Sequence, residues 1–548
     1  MTNDKLASLL FPHIDKEPRY YYELYPRRDL PQEAMVTRLG PSPTGFIHLG
    51  NLYGAFVDKI LANQSNGIFY LRIEDTDEKR EVPGAVETII TSLNYFGIKF
   101  DEGAALSGET GSYGPYYQSK RKLIYQCFAK HLVEKGLAYP CFCTEEKLQN
   151  VREIQDKKGE NPGYYGEFAT CRNLSLEEVN DRISKGDEFV LRFRSFGDPN
   201  KNLQINDGIR GTLSMPENYQ DIVLLKRNGI PTYHFAHVVD DYLMGTTHVV
   251  RGDEWLSSLP IHAALFSAMD WPLPIYCHTG VLMKMDRGNR RKLSKRKDPE
   301  LSLNYYRSLG YHPKAIAEYL LTILNSNYEE WRHENPNSST GEFQFSLDKM
   351  SSSGTLFDMD KLNDVSKDVL AKLDDDELYG FLLTWAKEFR SELAGLFIDN
   401  KVMLLRILAM DRHGEKPRKD LVFGDQIFEF ISYFFDDYYK TLDDYPEEVP
   451  TPDVKAVLMS YEKSYNHSDN RSDWFEKIRT LAADLGYAAR PKDYKNNPTQ
   501  YKGHVGHVST VIRIALVGRS SSPDLWEIQQ IMGKEKTLSR INNALTKI

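Results

Sequence analysis

Apolar and polar positions alternate along the chain in a way that predicts its elements. A short predicted strand at 35–39 (MVTRL) leads into the loop GPSPTGFIHLG, and a predicted helix follows from about 51 to 62. A second predicted strand, 67–73 (GIFYLRI), ends in the acidic stretch EDTDEKRE. Pro83 then stands near the first turn of a predicted helix with apolar Val86, Ile89, Ile90 and Leu93. Strand and helix in alternation predict a parallel sheet covered by helices.

Residues 1–34 are polar and rich in Pro and Tyr, and read as a lead-in segment. From 138 to 228, β-rich stretches such as FVLRFRS and DIVLLKRNG alternate with turns, which predicts an inserted module. The strand–helix alternation then resumes, with predicted strands at 232–239 (TYHFAHVV) and 246–251, a helix at 257–268 and a strand at 275–282. The basic loop KMDRGNRRKLSKRK comes next. From 301 onward the period is helical, with a Ser/Gly-rich break at 350–354 and an acidic one at 441–452.

Composition narrows the class. A chain of 548 residues, 41% hydrophobic and 27% charged, predicts several globular domains and excludes a disordered or fibrous chain. No apolar run reaches the ~18 residues of a membrane helix, and the first twenty residues do not read as a secretory signal. Five cysteines, an odd number, point to a reducing compartment and a cytoplasmic location. The net charge of −9, spread evenly, would argue against a nucleic-acid partner. It is not spread evenly. Residues 284–297 carry eight Lys/Arg against one Asp, 481–548 carry ten against five, and 436–470 carry three against nine. So polarised a surface is compatible with a nucleic-acid partner.

Two stretches carry candidate chemistry. In TRLGPSPTGFIHLGN (37–51), a strand-to-helix turn offers backbone N–H groups and a positive helix end to phosphates. Gly45 and Gly50 permit close approach, and His48 adds a donor; His-x-Gly alone would be no more than a turn with a solvated ring. In KLSKR (292–296), ammonium groups on a loop after a sheet strand suit a clamp on a phosphate chain.

In this order, HLGN and KLSKR resemble the two signature motifs of class I aminoacyl-tRNA synthetases. With LRIEDTD, PTYHFAHVVDD and HVVRGDEW, the chain resembles the bacterial-type glutamyl-tRNA synthetases over nearly its whole length. The resemblance implies a Rossmann-type α/β catalytic domain with an α+β insertion, followed by an all-α anticodon-binding region. It divides the chain into an N-terminal extension (1–34), a first catalytic half (35–137), an acceptor-binding insertion (138–228) and a second catalytic half (229–300). A stem-contact region (301–365) and a helical anticodon-binding domain (366–548) complete it.

The resemblance also implies partners: L-glutamate, ATP with Mg²⁺, and tRNA-Glu, with no membrane, for a monomer. Arg38, Ser42, Glu74, Tyr233, His237 and Arg251 fall on glutamate-binding positions. Arg38 is expected near the side-chain carboxylate, Arg251 near the α-carboxylate and Glu74 near the ammonium, because Arg pairs with carboxylates in a bidentate fork. His48, Gly50, Glu254 and Lys295 fall on ATP-binding positions, with His48, Lys292 and Lys295 as the catalytic group. Gly40, where Ala is usual, and Asn51, where a small residue is common, depart from the pattern, as does the imidazole of His237. Cys141, Cys143 and Cys171, with Tyr164 between, resemble the zinc knob of some members. A tetrahedral zinc site and simple packing both remain open there, with zinc the less favoured.

Other functions fit less well. A tRNA-modifying relative lacks the helical C-terminal half, and glutaminyl-tRNA synthetase ends in β-barrels where this chain is helical in period. The extra domains count against a small-molecule ligase. A non-catalytic RNA-binding homologue would not need His48, Lys292 and Lys295.

Overall fold

The computed structural model describes residues 3–45, 47–294, 296–414 and 417–548, with Glu78 described by its backbone alone. Two units divide the chain: Met1–Tyr305 with Ala317–Asp358, and Tyr306–Ile316 with Met359–Ile548.

The first unit opens with helices α1 (Asn3–Leu10) and α2 (Pro18–Leu24), then β1 (Val36–Leu39), α3 (Leu49–Gln64), β2 (Ile68–Leu71), α4 (Ala85–Tyr95), β3 (Glu102–Ala105), the edge strand β4 (Gly108–Thr110) and α5 (Lys122–Glu134). β1, β2 and β3 are parallel, and β4 turns back antiparallel on β3. All four residues of β1 are buried, as expected of a parallel strand covered on both faces. α3 buries Leu52, Tyr53, Phe56, Val57 and Leu61.

Residues 138–228 contribute β5 (Ala138–Cys141), α6 (Glu145–Lys158), α7 (Leu176–Ser184), β6 (Val190–Phe193), β7 (Asn202–Asp207), β8 (Gly211–Pro216) and β9 (Val223–Leu225). β5, β6 and β9 form a small antiparallel sheet. The chain returns as α8 (Tyr233–Leu243), β10 (His248–Gly252), α9 (Leu259–Ala268), β11 (Ile275–Thr279), β12 (Leu282–Asp286) and β13 (Asn289–Lys292). β10 and β11 are parallel, and hairpin β7–β8 extends the same sheet beyond β11. The β1 and β10 edges meet where Thr247 N–H donates to Val36 O (3.0 Å).

Four expectations are corrected. The lead-in segment is built into the core: Ala7, Leu10, Phe11, Ile14 and Tyr21 are buried with Phe128 and Leu132 of α5. Arg28, beyond α2, anchors the segment through a paired bond to Glu102 (2.8 and 2.9 Å). The stretch 232–239 is helix, not strand. α8 buries Phe235, Ala236, His237, Val238, Val239, Asp240, Asp241 and Leu243, so it lacks the polar face by which a helical period is recognised. The strand at 275–282 breaks after Thr279 into β11 and β12. The basic loop is a hairpin, β12–β13, closed by Arg287 and Gly288, both at positive φ, as a tight two-residue turn requires.

The second unit is helical. Thr451–Ser464, Arg471–Asp484, Val505–Val517 and Lys534–Lys547 pack Val457, Leu458, Ile478, Val508, Ile512, Leu516 and Ile541 into one core. Inside it Trp474 Nε1–H donates to Tyr461 Oη (3.0 Å), whose own hydroxyl donates to Gln529 Oε1 (2.6 Å).

Candidate active site

A cavity of about 750 Å³ opens at the C-terminal ends of β1, β2, β10 and β11, where parallel sheets bind their ligands. Arg38, Ser42, His48, Gly50, Glu74, Tyr233, Arg251, Glu254 and Lys292 all line it. Elements more than 240 residues apart in sequence thus meet at one place. Lys295 lies outside the described residues.

One wall is ionic. Arg38, on buried β1, sits 3.4 Å from both carboxylate oxygens of Asp241 on α8. Arg72 is fully buried and donates to Asp241 Oδ1 (2.6 Å) and Glu74 Oε1 (2.9 Å). Burial pushes the Asp241 carboxyl up, but Arg72 and Arg38 outweigh it and hold it below the usual range. Burial raises Glu74, with Arg72 and Arg38 opposing. Two guanidinium groups and two carboxylates therefore fix one another before any substrate arrives.

Beside it, on the neighbouring strand β10, the chemistry is different: Arg38 Nη1 donates to Val250 O (3.4 Å), the residue before Arg251. Arg251 Nε donates to His278 Nε2 (2.9 Å), Nη1 donates to His262 Nδ1 (3.0 Å) and Nη2 to Trp255 O (3.3 Å). Its guanidinium also lies over the Tyr276 ring (4.5 Å). Tyr233, the first residue of α8, is wedged between Trp255 and His237. Burial pushes His262 well below the usual histidine range, with His237 and Arg251 adding to it, so its ring is neutral and can accept from Arg251.

The N-terminus of α3 also lines the cavity. His48 takes the capping position, and Asn51 Oδ1 accepts its backbone N–H (3.1 Å). A Cβ on Gly50 would lie 3.1 Å from the His48 ring, so glycine gives the imidazole its room. The departure at Asn51 is thus a helix cap. Anions are favoured at such an end by free N–H groups and the helix dipole. Glu254 is exposed at the rim, and Lys292 reaches the cavity from β13.

His237 is corrected: it is fully buried, does not line the cavity, and bonds Tyr276 Oη through Nε2 (2.9 Å). Asp241 Oδ2 lies 3.1 Å from its other nitrogen, so the ring packs behind the wall. Sequence reasoning missed Asp58, Gln118, Lys226 and Trp255, which also line the cavity. Lys226 Nζ donates to Thr76 O (2.9 Å), and only its place just after the apolar stretch DIVLL signals it. Asp58 is buried, and neither carboxyl oxygen has a hydrogen-bond partner among the described residues. Burial holds it well above the usual range, and Asp241 adds to this while Arg38 opposes it.

In the 138–228 segment, Cys141, Cys143 and Cys171 bring their sulfurs within 4.8 Å of one another, all buried. Cys143 Sγ is 3.6 Å from Cys171 Sγ, and Tyr164 Oη is 3.3 Å from Cys143 Sγ. Zn–S bonds of about 2.3 Å in a tetrahedron set sulfurs roughly 3.8 Å apart, so the donor set fits zinc.

Comparison with known proteins places the chain in a family. Residues 34–364 match the family of class I tRNA synthetases (E and Q), catalytic domain, and residues 494–545 match the anticodon binding domain. The chain is 62% identical to a glutamate–tRNA ligase of Acetivibrio thermocellus and 48% identical to one of Clostridium perfringens strain 13. These alignments cover 100% and 99% of the chain and 100% of each relative. A crystal structure of a glutamate tRNA ligase from Elizabethkingia meningosepticum in complex with its amino acid superposes with a TM-score of 0.74. It is 27% identical and covers 94% of this chain and 99% of its own. On the matched residues, the parallel sheet and the helical C-terminal half, the chain belongs to the class I (E and Q) tRNA synthetases.

Proposed function

We propose that this enzyme attaches L-glutamate to tRNA-Glu in two steps: ATP-dependent formation of glutamyl-adenylate with release of pyrophosphate, then transfer to the terminal ribose of the tRNA. The observation that carries the substrate is the meeting of Arg38, Arg251 and Glu74 on one cavity. Two cations and one anion are the complement of an amino acid with two carboxylates and one ammonium. Arg38 takes the side-chain carboxylate, Arg251 the α-carboxylate and Glu74 the ammonium, with Ser42 and Tyr233 completing the pocket.

ATP enters beside the α3 N-terminus, with His48 and the Gly50 amide at the nucleotide, Glu254 at its ribose or adenine side, and Lys292 and Lys295 at the phosphates. Mg²⁺ on the departing pyrophosphate would supply further charge neutralisation. The bound carboxylate attacks the α-phosphate directly, so no general base is required. What the protein contributes is alignment and compensation of charge. The ribose 2′-hydroxyl then attacks the acyl carbon of the adenylate, forming the ester as the acyl–phosphate bond breaks and AMP leaves, the hydroxyl proton going to solvent or the departing phosphate, as the resemblance to class I enzymes implies. The helical C-terminal half is read as the anticodon-binding part. The enzyme works as a cytoplasmic monomer.

The test is ATP–pyrophosphate exchange with purified enzyme. Exchange should require glutamate and appear only on adding tRNA; exchange with glutamine but not glutamate would overturn the substrate. Parallel charging of tRNA-Glu and tRNA-Gln reads the tRNA partner.

A further inference from the structure

Arg38 and Arg251 are held in opposite ways. Arg38 faces a buried carboxylate, whereas Arg251 has no ion pair among the described residues and leans on two imidazoles and a carbonyl. A guanidinium only donates, so His278 must present Nε2 as a bare acceptor and carry its proton on Nδ1. Asp207 enforces that: its Oδ2 lies 2.6 Å from His278 Nδ1. Asp207 is itself fixed, because its Oδ1 accepts the backbone N–H groups of Ile209 and Arg210 (both 2.9 Å). It ends β7, within the 138–228 segment, and pairs in register with Tyr276 of β11.

We propose that Asp207 and His278 are positioning residues for the amino-acid substrate: Asp207 selects the His278 tautomer that accepts from Arg251 Nε, which aims the guanidinium's terminal nitrogens at the substrate carboxylate without neutralising its charge. The three bonds use one N–H on each nitrogen and leave one on each terminal nitrogen, a fork suited to a carboxylate. A carboxylate in place of His278 would hold Arg251 as firmly but compete with the substrate for its charge. The inference rests on the reading of Arg251 as a glutamate contact.

Asp207→Asn, His278→Ala, His278→Gln and Arg251→Lys test it in the full-length enzyme with tRNA present. An Asn amide facing His278 donates instead of accepting and turns the ring to the wrong tautomer. Asp207→Asn should move the His278 proton to Nε2, seen in ¹⁵N spectra of the labelled ring. It should raise the KM for glutamate about ten- to hundred-fold and leave the KM for ATP within about two-fold. His278→Ala should do the same, while His278→Gln, whose oxygen accepts whatever Asp207 does, should recover much of the loss. Should Asp207→Asn not fold, the Ala and Gln pair at 278 decides alone. Arg251→Lys should raise the glutamate KM, since an ammonium cannot form the fork. If it does and the other variants leave glutamate unchanged, or shift both substrates equally, the positioning role is overturned and the site reading stands. If Arg251→Lys leaves glutamate unchanged, the site reading falls, and the inference with it.

Discussion

The Glu74 carboxylate occupies the space into which a side chain at Gly40 would project: a Cβ there would lie 2.5 Å from Oε1 and 2.9 Å from Cδ. Gly40→Ala should therefore turn Glu74 away from Arg72. With its anion displaced from the ammonium position, the enzyme should show a glutamate KM about three- to ten-fold higher, roughly 1 kcal/mol in binding. Exchange kinetics read this directly. An unchanged KM for glutamate would remove Glu74 from the ammonium.

Arg72 is the shared cation of a dry network, 2.6 Å from Asp241, 2.9 Å from Glu74 and 3.8 Å from Asp240. Arg72→Met should cost about 3–5 kcal/mol, because it strands charged carboxylates in the interior. Adding Asp241→Asn should return part of that loss. Urea unfolding of the single and double variants measures both values, and full additivity would contradict the network.

Acid should loosen the α8 side of the site. Burial, helped by Arg251, lowers His234 to about 4, and His237 and His262 move the same way. Between pH 6.5 and 4 the unfolded chain binds protons that the folded rings refuse. Stability is thus flat above about 6.5 and falls as pH drops, by up to about 1.4 kcal/mol per pH unit for each histidine. Unfolding midpoints across this range check the slope, and His262→Gln should reduce it.

Lys295→Ala should lower turnover by about 10²- to 10³-fold, the magnitude of one lost donor to a developing anion. Its effect on tRNA affinity should stay within about two-fold. Filter binding separates the two, and an undiminished rate would remove the phosphate role.

Metal analysis of protein purified without chelator should find about one zinc per chain, lost on Cys143→Ser. Its removal should raise protease sensitivity within 138–228 and leave the second unit intact. Protein free of metal with an unchanged digestion pattern would mean that the thiols simply pack.

Much of this site was legible in the sequence because its residues stand beside motifs of distinctive chemistry. Arg38, His48 and Gly50 bracket one Gly/Pro loop, and β1 and β2 are short strands of the kind that a parallel sheet alternates with helices. α8 was hidden for the reason that makes it useful. Buried on nearly every side, it offers no stripe, and its Asp240 and Asp241 look like surface charge until Arg72 and Arg121 are brought to them from elsewhere in the chain. The β12–β13 hairpin was masked in the same way, since charge on both its faces hides the period of two. Asp207 gave no local sign of its role, which exists only once β7 lies against β11.

That last pairing bears on how the enzyme could be re-engineered. Hairpin β7–β8 belongs by chain order to the 138–228 segment and by hydrogen bonding to the sheet that carries the cavity. A chimera cut at 138 and 228 would import a foreign hairpin, and with it whatever stands at position 207, into a host that has tuned its own. Donor pieces for 138–200 and 217–228, with the host's 201–216 retained, give graft boundaries that leave the amino-acid pocket to its owner.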